Sequence, residues 1–150
     1  MYFVYRTRRF KPEDLTSGMQ MVAESIREPY KPELFMNAYY TFPPGSVIVE
    51  DVRGNTIGVV VAIPTPEYAL RILVLVVRSQ WRRRGIGYHL MGLMNYACFQ
   101  YGLRKITLEV RVDNFMAQRF YERLGFLRKG LIKNYYTDKS DGYIYEKILY

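Results

Sequence analysis

A basic, glycine-containing turn is the stretch of this sequence with the clearest potential for chemistry. Residues 76–87 read Val-Val-Arg-Ser-Gln-Trp-Arg-Arg-Arg-Gly-Ile-Gly and lead into a segment with helical periodicity. Glycines let a backbone approach a ligand closely, and the free amides and positive dipole end of a following helix attract anions. We expect this turn to hold a diphosphate. The alternative is a helix that begins at a glycine turn and leaves its arginines in solvent.

Two common nucleotide-binding loops do not match this turn. It lacks the Gly-Lys-Ser/Thr ending of a Walker A loop, and residues 85–90 lack the third glycine of a dinucleotide-binding fingerprint. The turn therefore predicts an anion site of neither type.

The low number of histidine and cysteine residues limits which metal sites, disulfides and nucleophilic triads the chain can form. The chain has one histidine, His89, and one cysteine, Cys98. A disulfide within the chain is excluded, the usual Cys/His zinc clusters cannot be assembled, and a nucleophilic triad would need His89 as its base. We expect no metal site, and an acid or base drawn from Glu, Asp, Tyr or Lys. Cys98 is expected to be a buried apolar residue and His89 a helix-face residue.

Length and composition predict one domain over residues 1–150. Hydrophobic residues make up 49% of the sequence and charged residues 24%, a balance that can offset the entropy cost of ordering the chain. The longest apolar runs fall far short of the roughly 20 residues that a membrane helix needs, and charges stand where a secretory signal would be apolar. We expect a cytoplasmic protein with no membrane contact. The net charge of +8 favours phosphates, nucleic acid or acidic partners without selecting among them.

The elements around the turn follow from periodicity. Residues 69–77 are β-branched and apolar on both faces, which predicts a central buried strand before the turn, and the helix after it is expected to run to about residue 101. A strand over residues 104–111 should follow. Asp113 or Asn114 can cap the next helix, and Gly125 ends it in a left-handed conformation.

The remaining segments complete a mixed order of strands and helices. We expect a first strand over residues 2–9, a helix that runs to about Arg27 and is ended by Pro29, and a short helix over residues 32–40. Further strands are expected over residues 46–52, 56–63, 126–133 and 143–149, with the Pro-Thr-Pro of residues 64–66 breaking the second of these. Early hairpins followed by strand-helix-strand crossovers predict a mixed sheet with helices on both faces, an α/β (α+β) fold.

Two motifs together resemble the GCN5-related N-acetyltransferase (GNAT) superfamily. They are Arg82-x-x-Gly85-x-Gly87 and Asn114…Ala117…Tyr121…Gly125-Phe126. The resemblance implies the GNAT fold, in which a mixed, mostly antiparallel sheet has helices on both faces and a splayed pair of parallel strands holds acetyl-CoA. Here the pair would be residues 73–77 and 105–111.

Three further segments are similar to ribosomal-protein alanine acetyltransferases and to the catalytic subunits of amino-terminal acetyltransferases. They are Leu108-Glu109-Val110-Arg111, the tail Asn134-Tyr135-Tyr136…Asp141-Gly142-Tyr143, and Glu28-Pro29-Tyr30. The last resembles a Glu-Asn-Tyr element that lines the peptide site in those subunits, from which Pro29 departs. The similarity covers nearly the whole chain.

This resemblance implies a set of contacts with acetyl-CoA. Leu75, Val76 and Val77 would supply backbone contacts, and the amide near Val76 could polarise the thioester carbonyl. The pyrophosphate would lie on the turn formed by Arg82, Arg83, Arg84, Gly85, Ile86 and Gly87. Asn114 would touch the pantetheine arm or order the loop that does; a helix N-cap is its alternative role.

The same resemblance implies two catalytic residues. Glu109 would be the general base, acting directly or through water; its alternative is a surface glutamate paired with a residue such as Arg111. Tyr121 would contact CoA and donate a proton to the departing thiolate; its alternative is a core aromatic residue.

Residues assigned to substrate binding come from three parts of the chain. Tyr135 and Tyr136 would clamp the first residue of a peptide with Tyr30 opposite, unless they are exposed aromatics at the rim of the sheet. Glu28 and Arg111 complete this implied set.

The implied reaction is direct transfer of the acetyl group from acetyl-CoA to the free α-amine of a protein or nascent peptide, through a tetrahedral intermediate. Implied partners are that amino terminus and, beyond it, a ribosome or an auxiliary subunit; nucleic acid is not required. One alternative is acetylation of lysine or of small amines by the same fold. Another is a non-catalytic basic module that binds RNA or the ribosome, although no RNP-type aromatic motif is present.

Overall fold

A mixed seven-stranded sheet forms the centre of the computed structural model, which describes residues 4–150. Its strands are β1 (Tyr5–Arg9), β2 (Ser46–Asp51), β3 (Thr56–Thr65), β4 (Ala69–Val77), β5 (Lys105–Arg111), β6 (Leu127–Ile132) and β7 (Gly142–Ile148). They lie in the order β1-β2-β3-β4-β5-β7-β6. Every neighbouring pair is antiparallel except β4 and β5, which are parallel. The prediction of a mixed, mostly antiparallel sheet is confirmed.

Helices cover both faces of this sheet, as predicted. They are α1 (Leu15–Ser25), α2 (Pro32–Thr41), α3 (Ile86–Tyr101) and α4 (Phe115–Arg123). On one face, Met21 of α1 and Phe35 of α2 pack in a buried cluster with Val59 of β3. On the other, Leu90 of α3 and Tyr121 of α4 belong to a second cluster. Burial of β4 between the two explains why it is apolar on both faces.

The parallel pair separates soon after it begins. β4 and β5 are in register only from Ala69, opposite Lys105, to Arg71, opposite Thr107. Just beyond Arg71, the pairing of β4 with β3 shifts so that Leu73 is an extra residue in β4. A bulge of this kind bends its strand. The carboxyl-terminal halves of β4 and β5 therefore diverge and leave a split between them.

Several boundaries differ from those expected. The first strand begins at Tyr5, and positions 2 and 3 of the expected strand lie outside the described residues. The first helix ends at Ser25 rather than Arg27, because Ile26 takes an extended conformation. The expected break at residues 64–66 is wrong, since β3 continues through Pro64, which pairs with Leu70. β2 pairs with β3 only as far as Val61, so the proline lies where β3 has one neighbour and one missing amide is tolerated.

None of the helices within residues 4–150 is both long enough and apolar enough to cross a lipid bilayer.

Candidate active site

The split between β4 and β5 leaves one backbone edge of β4 without a strand partner. Leu75, Val76 and Val77 pair with β3 on their other edge. Since amides and carbonyls alternate between the two edges of a strand, those that point into the split are available to a ligand. The side chain of Val76 is buried, so any contribution there comes from the backbone.

The basic turn follows β4 directly and ends at the start of α3. Gly85 adopts a left-handed conformation with φ +83°, and a Cβ at that position would meet open space. The first amide of this region that donates back along α3 is that of His89, to the Gly85 carbonyl at 3.0 Å. The amides of the preceding turn of the helix point out of its amino-terminal end, where an anion can accept from them. The turn thus fits the diphosphate that the sequence predicts.

Three consecutive arginines form the first part of this turn. The side chains of Arg82, Arg83 and Arg84 are exposed. Arg82 Nε donates to the Val77 carbonyl at 2.9 Å, which ties the turn to the end of β4. The Arg83 backbone lies at φ +61°, a conformation that residues with a side chain seldom adopt and that occurs preferentially at functional sites.

Gly87 has a packing role that the sequence did not reveal. A Cβ at this position would lie 3.1 Å from the nearest ring carbon of Phe120. Glycine therefore lets the start of α3 lie directly against α4. The neighbouring Ile86 is buried in the core, so its side chain faces away from the anion site.

The two predicted residues around α4 lie on the side of the sheet that faces α3. Asn114 caps α4, because its side-chain oxygen accepts from the Ala117 amide at 3.1 Å; the N-cap role is confirmed. Tyr121 is buried and lies against the rings of Phe120 and Phe126. Burial raises the pKa of the Tyr121 hydroxyl above its ordinary value, so the group stays protonated at neutral pH and can donate. Their contacts with CoA stay predictions.

Glu109 lies on β5 just beyond the point where the strands part, and its partner is Arg71 of β4. The closest contact joins Arg71 Nη2 and Glu109 Oε1 at 2.8 Å. The alternative considered from sequence paired this glutamate with Arg111, which instead binds Asp138. Sequence reasoning missed Arg71; the signal was present, since it is the only charged residue in the nine-residue strand β4.

Arg111 is buried and its guanidinium is occupied by groups of the protein. It donates to both carboxylate oxygens of Asp138 at 2.9 and 3.0 Å, and to the Arg27 carbonyl at 3.2 Å. It also lies over the ring of Tyr136, 4.3 Å from its centroid. These contacts fix the loop between β6 and β7 and the orientation of Tyr136, which is how the structure relates Arg111 to the predicted substrate site.

An open cavity of about 500 Å³ brings together the other predicted substrate residues. Its lining consists of Glu28, Pro29, Tyr30, Lys31, Glu33, Leu34, Tyr135 and Tyr136. The first six belong to the α1–α2 loop and the start of α2, and the two tyrosines to the loop between β6 and β7. The rings of Tyr135 and Tyr136 meet edge to face, with 4.9 Å between centroids.

The cavity tyrosines remain proton donors at neutral pH. Burial is the main reason that the pKa values of Tyr30, Tyr135 and Tyr136 are raised. The negative charges of Glu28 and Glu109 raise the pKa of Tyr30 further. The Tyr135 hydroxyl accepts a hydrogen bond from Arg71 Nη2 at 2.9 Å. Arg71 therefore connects the aromatic cavity to Glu109.

The lone cysteine and histidine take no part in this arrangement. Cys98 is buried in α3, and burial raises the pKa of its thiol to about 11, so it is not a nucleophile at neutral pH. His89 Nδ1 lies 3.1 Å from the Tyr5 hydroxyl of β1. Across residues 4–150 no three His, Cys, Asp or Glu side chains gather closely enough to hold a metal ion.

Known proteins share both the sequence pattern and the fold. Residues 15–126 match the acetyltransferase (GNAT) family. The chain is 30% identical to N-alpha-acetyltransferase 30 of Schizosaccharomyces pombe over 87% of this chain and 88% of that protein. The structure of Ard1 from Thermoplasma volcanium superposes with a TM-score of 0.91 at 29% identity, covering 97% of this chain and 98% of that one. Naa20 of Chaetomium thermophilum, solved with a bisubstrate analogue, gives a TM-score of 0.88 at 25% identity, covering 96% and 86%.

Proposed function

The chain belongs to the acetyltransferase (GNAT) family, and we propose that it transfers the acetyl group of acetyl-CoA to the free α-amine of a protein or nascent peptide. The amino-terminal acetyltransferases among its relatives support this acceptor.

One structural observation carries the proposal: a single carboxylate stands at the start of the split that ends in the basic turn, and it is joined through an arginine to the wall of the aromatic cavity. Glu109 contacts Arg71 where β4 and β5 part, and Arg71 contacts Tyr135 in the cavity wall. A donor held by the split and the turn would meet, at Glu109, an acceptor that enters through the cavity.

The residues divide the work of transfer among them. Acetyl-CoA supplies an acetyl group activated as a thioester. The amine nitrogen first forms a bond to the thioester carbonyl carbon, and the C–S bond breaks when the resulting tetrahedral intermediate collapses. Glu109 accepts the proton that the amine loses, directly or through one water. A backbone amide near Val76 donates to the carbonyl oxygen where negative charge develops. Tyr121 gives its proton to the departing sulfur and recovers one from solvent.

The acid–base inventory suits an α-amine better than a lysine side chain. An α-amine with a reference pKa of about 8 is roughly one tenth neutral at pH 7, whereas for lysine, at about 10.4, the neutral fraction is below roughly one in a thousand. One carboxylate can therefore complete the deprotonation of an α-amine far more readily than that of a lysine side chain.

Acceptor peptides provide the direct test. We would compare a peptide with a free α-amine and no lysine with an α-blocked peptide that contains lysines, and locate the added acetyl group by mass spectrometry. We expect kcat/KM for the free α-amine to be at least about 100-fold higher, in line with the neutral fractions. Equal rates on the blocked peptide would support the lysine alternative, and a failure of folded protein to take up acetyl-CoA in calorimetry would remove the enzymatic function.

The proposal extends to action on nascent chains in the cytoplasm. The net charge of +8 supports contact with a ribosome surface, directly or through an auxiliary subunit. Co-sedimentation with ribosomes at low salt and release at high salt is the expected result; sedimentation apart from ribosomes at both would contradict it.

A further inference from the structure

We propose that Arg71 is a positioning residue for acetyl transfer, which holds the Glu109 carboxylate and the Tyr135 hydroxyl in one fixed arrangement at the mouth of the split. This inference rests on the proposed function, because only then do Glu109 and Tyr135 face the acceptor amine.

Arg71 stands at the position in the sheet where the parallel strands β4 and β5 separate. It is the last residue of β4 in register with β5, opposite Thr107. Glu109 follows Thr107 by two residues, so its side chain leaves β5 on the same face. The Arg71–Glu109 pair therefore spans the two strands just where they begin to diverge.

The geometry of the guanidinium connects two partners at once. Nη2 lies 2.8 Å from Glu109 Oε1 and donates to the Tyr135 hydroxyl at 2.9 Å. Nε contacts the second carboxylate oxygen, Oε2, at 3.4 Å. A guanidinium is planar and its donors have fixed directions, so these contacts define the orientation of the carboxylate. A lysine ammonium at the same position has one nitrogen and cannot reproduce this fork.

The loop that carries Tyr135 is held from other directions as well. Thr137 contacts Glu28, and Asp138 contacts Arg111. Neither of these contacts reaches the base. Arg71 joins the cavity wall to Glu109 at the point where the Tyr135 hydroxyl also hydrogen-bonds to the Glu109 carboxylate, so it couples acceptor binding to the position of the proton acceptor.

The burial of the pair indicates that its effect lies in kinetics more than in stability. The side chain of Arg71 is 38% exposed and that of Glu109 is 18% exposed. A pair that is partly open to water contributes little to folding. Arg71 is the only charged residue of the central strand β4.

The test begins with Arg71→Met, which keeps the length of the side chain and removes its donors. We expect kcat for an unblocked peptide to fall by about 10- to 100-fold, since a small misplacement of a catalytic group has an effect of this size. The Kd for acetyl-CoA should stay within about twofold, because the turn at residues 82–87 is untouched. The matched control is Arg104→Met: Arg104 is exposed beside Tyr68 and lies five residues, or about 16 Å, from Glu109 along the chain. It should retain wild-type rates.

Two further variants separate positioning from charge. Arg71→Lys retains the charge without the fork, and its kcat should remain at least about fivefold below wild type; full activity would overturn the role of the fork. Tyr135→Phe should raise KM for the peptide in the wild-type background and add little in the Arg71→Met background. Additive effects of the two changes would contradict the coupling.

Failure of this inference is distinct from failure of the proposed function. If wild type and Arg71→Met acetylate the peptide equally well, the role of Arg71 is overturned and the proposed function stands. A wild-type protein that acetylates no amine overturns both. If Arg71→Met does not fold, as judged by thermal melting, Arg71→Lys decides the question, because it keeps the positive charge and removes the fork of donors; a kcat equal to that of wild type would count against the proposal.

Discussion

The Glu28 carboxylate, in the loop after α1, accepts hydrogen bonds from both the amide and the hydroxyl of Thr137, 109 residues later in the chain; the amide contact is 3.0 Å long. This contact closes one side of the aromatic cavity, because it joins the loop that carries Tyr30 to the loop that carries Tyr135 and Tyr136. It also occupies the carboxylate that the resemblance assigned to peptide binding. We therefore expect Glu28 to influence acceptor binding through the shape of the cavity.

Thr137→Val should weaken peptide binding without affecting the donor side. The variant removes the hydroxyl while it retains the amide contact, so we expect KM for the peptide to rise about three- to tenfold at unchanged affinity for acetyl-CoA. Thr137→Ser keeps the hydroxyl and should behave as wild type. Steady-state kinetics and calorimetry test both, and a Thr137→Val variant with wild-type KM would show that this contact does not shape the acceptor site.

Glu109→Gln should lower turnover by about 100-fold, because a general base contributes at least that much. The amide is nearly isosteric with the carboxylate, so acetyl-CoA binding should change little. Glu67→Gln is a suitable control, since that side chain is exposed in the turn between β3 and β4. Turnover that survives in Glu109→Gln would remove Glu109 from the mechanism and direct attention to other carboxylates of the cavity.

Substitutions of the three glycines near α3 should have three different outcomes. Gly87→Leu should weaken the binding of acetyl-CoA by about tenfold or more, since even a Cβ there would press on the Phe120 ring and shift the start of α3. Gly85→Ala strains a left-handed residue at a cost of about 1 kcal/mol and should reshape the turn. Gly92→Ala lies in the middle of the same helix with open space around it and should stabilise the protein by about 0.5–1 kcal/mol.

Calorimetric titration with acetyl-CoA and thermal melting distinguish these cases. In the Gly87→Leu background, Phe120→Ala should restore part of the affinity because it removes the ring that the new side chain meets. Intact affinity in Gly87→Leu alone would mean that the phosphates lie elsewhere.

Tyr121→Phe should alter the dependence of stability on pH. Burial raises the pKa of the Tyr121 hydroxyl above the ordinary value near 10, so above that pH the unfolded chain releases a proton that the folded chain retains. Folding stability is therefore unaffected by this group below about pH 10 and falls as pH rises beyond it, by up to about 1.4 kcal/mol per pH unit. Chemical denaturation between pH 8 and 11 should show a shallower decline for Tyr121→Phe than for wild type; equal slopes would contradict the burial effect.

Local features of the sequence were enough to predict the elements proposed to bind acetyl-CoA. The turn at residues 82–87, the helix after it, the central strand β4 and the cap at Asn114 depend on glycine placement, apolar periodicity and short-range hydrogen bonds. All of these act within a few residues along the chain.

The arrangement of the residues proposed to bind the acceptor peptide depends on contacts between segments that are distant in the sequence. Arg71 and Glu109 are 38 residues apart and meet only because β4 and β5 lie side by side, and Glu28 meets Thr137 only because two loops converge at one end of the sheet. The bulge at Leu73 and the contact of Gly87 with Phe120 likewise belong to packing between elements. Periodicity determines which face of an element is buried, but partners across a sheet are set by strand order and register. Only the tertiary structure could therefore show that the predicted base is held by an arginine of the neighbouring strand.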